Sequence, residues 1–195
     1  MFYLITVIVG ILLTALLDFA TASCPDPTVA ACSLLWAAAA AAAVFLLDAI
    51  TAFLIRRLPE GWFAPLSSVF AVSEKERRRL RRLGVLRWKH LVPEWGACSG
   101  FRKNELQSAT ESAYLGRFLL ESNYGVVIHL VNFAVGFLLL PIPFVGGITV
   151  GLPVAIVNGL LSLLPVMILR YNTAPLRRLY TRALKRTETQ AAPEA

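Results

Sequence analysis

Hydrophobic residues along this chain gather into long unbroken runs, and the polar residues between them set the connections. Four runs are long and apolar enough to cross a bilayer, which takes roughly 17–25 mostly apolar residues each: 2–22, 30–55, 124–140 and 147–169. Pro25 and Pro27 mark an exposed turn between the first two, and PIPFVGG at 141–147 supplies the turn between the last two. The pattern predicts an all-α integral membrane protein: four transmembrane helices, with a basic amphipathic cytoplasmic helical loop between spans two and three. Four regions follow: an N-terminal transmembrane hairpin (1–55), a basic interfacial helical region (56–115), a transmembrane hairpin bearing a polar stripe (116–186) and a disordered tail (187–195).

Within the spans, the alanine run 37–43 offers small side chains that let a neighbouring helix approach closely. Pro153 and Pro165 in the fourth span are tolerable where neighbours satisfy the freed carbonyls. In the central loop, Ser73 and Glu76 form a capping box that opens a helix. Leu80, Leu83 and Leu86 supply its apolar stripe, flanked by Arg77, Arg78, Arg79, Arg81 and Arg82, a segment suited to lie on an anionic leaflet. Near Lys103 a new helical periodicity begins, with Leu106, Ala109, Ala113, Phe118 and Leu119 leading into the third span.

Composition supports the membrane reading, since 57% of the 195 residues are hydrophobic and only 16% are charged. A net charge of +7 would suggest nucleic acid if spread over a soluble surface. Instead the 19 basic residues form two blocks, thirteen between 56 and 117 and six between 170 and 186, which points to anionic inner-leaflet headgroups and no nucleic acid. The positive-inside rule then predicts a multi-pass protein of the bacterial cell membrane with both termini cytoplasmic and the loop at 18–32 outside. The first run lacks a basic flank, which favours a retained span over a cleaved leader. Cys24, Cys32 and Cys98 have no metal-ligand spacing, and no metal site is assigned. Cys24 and Cys32 can pair in an oxidising compartment, or Cys32 can be a small buried residue of the second span.

Candidate chemistry concentrates in LLESNYGVVIHLVN, 119–132. At about 100° per residue, Glu121, Gly125, His129 and Asn132 share an arc of roughly 80°, a polar or open stripe on an otherwise apolar helix. Ionisable groups are costly in hydrocarbon, so the stripe should face protein or water. Glu121 sits near the cytoplasmic interface and His129 about 12 Å deeper by helix rise. One reading makes this a reactive centre; the other gives His129 and Asn132 only interhelical hydrogen bonds. Asp48 in the second span is either a functional carboxylate or a structural one that pairs with a buried polar partner or reaches the cytoplasmic interface.

The residues themselves carry no hydrolase, metalloprotease or nucleotide-binding signature. Four segments in fixed order carry the reading further: RxPxxWF at 57–63, RWKHLVPEW at 87–95, ES(x)6H at 121–129 and RYN at 170–172. Over 49–186 they resemble the glycosyl-4,4'-diaponeurosporenoate acyltransferase family, small bacterial membrane proteins of staphyloxanthin-type carotenoid biosynthesis. The resemblance implies transfer of a fatty acyl chain to a hydroxyl of a lipid-linked or glycosylated isoprenoid acceptor. It needs no cofactor beyond acyl-CoA or another activated acyl donor as co-substrate. By position, His129 and Glu121 match the family's His and Glu, Trp88 and Lys89 its Trp-Lys pair, and Arg170, Tyr171 and Asn172 its Arg-Tyr-Asn. His129 is then the general base, with Glu121 assisting, and Trp88, Lys89, Arg170, Tyr171, Asn172 and Asn132 bind substrate. The chain departs from the pattern at Tyr124, Val126 and Leu163, consistent with a divergent member. Expected partners are membrane lipids, the lipophilic acceptor and other enzymes of the pathway. The competing reading is a non-enzymatic lipid-binding or scaffold protein acting through the arginine-rich segment.

Overall fold

The structure, a computed structural model, describes residues 2–92, 101, 106–139 and 147–191. Among them the regular elements are helical, with no strand: α1 (Phe2–Thr21), α2 (Pro27–Ile55), α3 (Glu74–Arg82), α4 (Val85–Trp88), α5 (Ser112–Val135) and α6 (Gly147–Ala191). Short 3-10 turns stand at Glu60–Phe63, Ser68–Phe70, Lys89–Leu91 and Gly136–Leu139. α1, α2, α5 and α6 are each long and apolar enough to span a membrane, so the chain is a multi-pass all-α membrane protein. Contacts divide it into two compact units: Met1–Arg57 with Ile128–Leu164, and Leu58–Val127 with Pro165–Ala195.

In the first unit α1 and α2 pack together, and Asp26 starts α2 by accepting the Val29 amide at 2.9 Å, with Pro27 at the first helical position. Ala37 and Ala40 are fully buried and join Ala15, Val44, Val150 and Val154 in one core. The alanine run therefore works by admitting neighbours close to the α2 backbone. Asp18 ties three helices, accepting the Ser33 hydroxyl at 2.6 Å and the Thr149 hydroxyl at 2.5 Å. Leu4, Ile8, Leu12, Leu35, Leu46 and Phe53 are exposed on α1 and α2, an outward apolar surface that suits lipid. Cys24 and Cys32 are free thiols, both exposed, so Cys32 is not buried in α2; Cys98 lies outside the described residues.

The second unit packs the first half of α5 against the second half of α6 through Leu115, Phe118, Leu119, Leu176 and Ala183. Gly116 permits the close approach, because a Cβ there would come within 3.2 Å of the Tyr180 ring. Around this pair runs the segment from Leu58 to Leu91. Ser73 caps α3 by accepting the Glu76 amide at 3.1 Å, as the sequence predicts. Gly84 then adopts φ +72°, the left-handed region that glycine enters without a Cβ penalty, and stops the helix. This break alters the expected stripe: Leu80 and Val85 turn inward beside Tyr171, while Leu83 and Leu86 remain exposed.

Two further boundaries differ from the sequence reading. Leu106 and Ala109 precede α5 instead of belonging to it, and helix begins at Ser112. The amide of Glu111 is taken there by the Ser108 hydroxyl, a local bond that competes with helical pairing. α6 does not end near Leu169 but continues to Ala191, so 187–191 of the expected disordered tail are helical, and the rest of that tail lies outside the described residues. The turn at 141–146, Lys103 and Trp95 lie outside the described residues.

Candidate functional site

The first unit carries a polar network among apolar helices. Asn132 on α5 is buried, and its backbone carbonyl accepts the Asn158 side-chain amide of α6 at 3.0 Å. Asn158 also hydrogen-bonds the Asp48 carboxylate of α2. α5 and α6 come close enough for this because Gly136 faces Asn158, where a Cβ would meet Nδ2 at 3.0 Å. Oδ1 of Asp48 and Oδ1 of Asn132 are buried with no hydrogen-bond partner among the described residues. Two unmatched acceptors in an apolar setting favour a hydroxyl or water as donor. His129 belongs to the same unit, half-buried and three residues before Asn132, so the two share a side of α5. A neutral imidazole is a group that can take a proton from an alcohol.

The second unit holds the remaining sequence candidates in two groups. Glu121 is fully buried on α5 and meets Arg117, one turn earlier, at 2.7 Å; Arg117 also reaches Glu60 at 3.4 Å. Beside it, Asn123 donates to the carbonyls of Phe63 and Ala64 at 3.0 and 3.2 Å. The Tyr124 hydroxyl donates to the Leu58 carbonyl at 2.8 Å, and its ring stacks on Phe63 with centroids 3.9 Å apart. The RxPxxWF segment is thus clamped onto the start of ES(x)6H by backbone carbonyls and one aromatic stack. Tyr124 is part of that clamp. Val126 is buried and Leu163 half-buried.

The second group surrounds α3. Arg170 chelates Glu76 with two nitrogens, Nη2 at 2.8 Å from Oε2, and donates to the Ala71 carbonyl at 3.2 Å. The planar guanidinium matches the carboxylate, a geometry lysine cannot reproduce. Three of its five N–H donors, on Nε and Nη2, are therefore committed within the protein. Tyr171 packs with Leu80, Val85 and Trp88, and lies under the Arg77 guanidinium, 5.4 Å from the ring centroid. Trp88 is half-buried with its indole N–H on the Leu83 carbonyl at 3.0 Å; Lys89 is exposed and Asn172 half-buried. Trp88, Arg170 and Tyr171 are thus gathered around α3, whereas Glu121 sits with Arg117 in another part of the same unit. His129 and Asn132 belong to the first unit.

Three contributors escape a reading of the sequence. Asn158 is visible only as a polar interruption, and its links to Asp48 and Asn132 join residues far apart in the chain. Asn123 stands inside the family segment without a repeating signal of its own. Arg177 donates to the carbonyls of Pro65, Leu66 and Ser67 at 3.2, 2.8 and 2.8 Å, and looks like any other arginine of a basic tail. Carbonyl partners leave no trace in side-chain identity, so no pattern marks these bonds.

Four helices long and apolar enough to span a membrane, with buried polar groups among them, define a polytopic membrane protein. Residues 59–182 match the glycosyl-4,4'-diaponeurosporenoate acyltransferase family, and the chain belongs to that family. It is thereby a membrane member of an acyltransferase family of carotenoid biosynthesis. No curated protein matches the chain, nor does any solved structure.

Proposed function

We propose that the protein transfers a fatty acyl chain to a hydroxyl of a glycosylated carotenoid or related lipid-linked isoprenoid, within the inner half of a bacterial cell membrane. The observation that carries this is the half-buried His129 in the unit where Asp48 and Asn132 present unmatched acceptors. The acceptor hydroxyl gives its proton to the neutral imidazole of His129, and its oxygen attacks the carbonyl of an acyl thioester. The tetrahedral adduct collapses as the C–S bond breaks, and the imidazolium returns the proton to the departing thiolate. Asp48, Asn132 and Asn158 orient the sugar hydroxyls. Glu121 acts at a distance by holding Arg117 and with it Glu60. Arg170, Tyr171 and Trp88 fix the region around α3, leaving Lys89 and Asn172 to meet substrate.

Positive blocks on both sides of the third and fourth spans support cytoplasmic termini and a cytoplasmic arginine-rich region. Exposed Leu83, Leu86 and Leu91 beside those arginines support contact with an anionic inner leaflet.

The test is mass spectrometry of lipids and pigments from cells with the protein, without it, and with His129→Ala. An acyl-sized mass increment should appear only with the wild-type chain, and the variant should transfer about 10²–10⁴-fold more slowly. Retention of the increment in a well-expressed His129→Ala protein would remove the imidazole from the mechanism; no lipid difference between the first two samples would remove the reaction.

A further inference from the structure

Within the first unit, α1, α2 and α6 leave a crevice between them with about 40 Å³ of free space. Each helix lines it with residues three and four apart, from Val7 to Thr14 on α1, from Ala41 to Phe45 on α2 and from Val154 to Leu161 on α6. Thr14 and Asn158 are the only polar residues among those that line it. Along α1 the crevice extends about 10 Å by helix rise. A water-sized group takes roughly 10–15 Å³ of such space, so a short run of chain carbons fits where a bulky group does not. Phe45, part of the wall, is also exposed, and the crevice is therefore open on the side that faces lipid.

One end of this apolar space is polar. The lining face of α2 continues one turn to Asp48, four residues after Val44. Asp48 hydrogen-bonds Asn158, which lines the crevice and donates to the Asn132 carbonyl at 3.0 Å. Oδ1 of Asp48 and Oδ1 of Asn132 remain unmatched, and Asn132 is only 6% exposed. Asp48 precedes Ile55, the last residue of α2, by about 10 Å of helix rise. A phospholipid keeps its charged head at the interface, because ionic groups are costly in hydrocarbon; its chains can enter the crevice but bring no donor to Asp48. An acyl thioester presents a carbonyl, which is another acceptor. A hydrocarbon chain headed by a neutral hydroxyl satisfies both ends.

The geometry points to this crevice as the seat of the chain of a neutral, hydroxyl-headed lipid, whose hydroxyl donates to Asp48 and Asn132. The assignment rests on the acyl-transfer reading, in which that lipid is the acyl acceptor, held in the unit that carries His129. Two of the three walls, α1 and α2, precede residue 59, where the family match begins. Chain preference is thereby set in large part by helices outside the matched region.

The experiment adds a long-chain primary alcohol with a diazirine midway along its chain to the full-length protein in phosphatidylcholine nanodiscs, with the methyl ether of the same compound for comparison. After illumination, mass spectrometry reads which peptides carry the label. The alcohol should label 7–14 and 154–161 roughly fivefold or more above the ether, which has no donor for the buried acceptors. Ala41→Leu fills the crevice and should cut this labelling by about tenfold, whereas Ala42→Leu, on the neighbouring exposed position, should change it by less than about twofold. Asn132→Leu keeps the carbonyl that Asn158 uses but removes the unmatched oxygen, and should shrink the preference for alcohol over ether by about twofold or more. Equal labelling by alcohol and ether in the wild-type chain, a result that depends on no variant folding, would overturn the proposal. So would equal labelling of the two alanine variants, an undiminished preference in Asn132→Leu, or label confined to the outward surface at Leu12, Leu35 and Leu46. Crevice labelling by the alcohol without acyl transfer in cells would keep the site and defeat the transferase reading. Acyl transfer with the acceptor KM unchanged in Ala41→Leu would keep that reading and remove the site.

Discussion

Asn123→Ala tests whether backbone carbonyls really fasten the 58–66 segment to α5. Asn123 is 1% exposed and its single amide nitrogen serves two carbonyls, Phe63 at 3.0 Å and Ala64 at 3.2 Å. Removing it leaves the buried Phe63 carbonyl without this donor, a loss of about 1–3 kcal/mol, and the partly buried Ala64 carbonyl about half as much. Allowing for water entering the vacated volume, the sum is about 2–4 kcal/mol. In a chain of this size that lowers the unfolding temperature by roughly 4–16 °C. Asn123→Asp should be worse, because a carboxylate oxygen would replace the donor and face two carbonyl oxygens. The assay is thermal unfolding in detergent followed by tryptophan fluorescence, since exposed Trp62 adjoins Phe63 and reports on the loop directly. A loss below about 0.5 kcal/mol for alanine, or an aspartate variant at least as stable as the alanine one, would refute the clamp.

Three other outcomes follow from the same kind of argument. Arg170→Lys keeps the charge but loses the bidentate grip on Glu76 and the Ala71 carbonyl; it should cost about 1–3 kcal/mol and speed proteolysis within 71–91. Gly136→Ala places a methyl 3.0 Å from Asn158 Nδ2 and should impair acyl transfer more than it impairs expression, read by the product mass increment. Ser73→Ala removes the α3 cap and should cost about 1 kcal/mol in thermal unfolding, with Ser73→Asp close to neutral.

The capping pair shows how far local signals reach. Ser73 is recognisable in the sequence and caps α3, but Glu76, read as the reciprocal half of a box, turns its carboxylate to Arg170 instead. A charged fork 94 residues away outcompetes a neutral backbone amide, and no local pattern registers such a partner. The arginine-rich segment behaves similarly. Its basic character and its cap are local, yet Gly84 splits the expected stripe and sends Val85, not Leu83, into the core. Glu121 was legible as a costly carboxylate in an apolar helix, and its partner Arg117, one turn away, lay within reach of the same helical spacing.

Length and apolarity of the runs were enough to determine helices that cross a bilayer, because hydrocarbon leaves a spanning backbone few alternatives to intrahelical hydrogen bonding. Segment order was enough to indicate the family, since side-chain identity at fixed spacing is what a sequence preserves. Tertiary structure alone decided which polar groups meet: Asp48 with Asn158, Asn123 with the Phe63 carbonyl, Arg177 with three carbonyls in a row. The physical reason is that a backbone carbonyl looks the same at every position, so its capture by a distant amide or guanidinium depends on how the helices approach. That approach is governed here by small residues such as Gly116, Gly136 and Ala37, whose effect is felt only once a neighbour is in place.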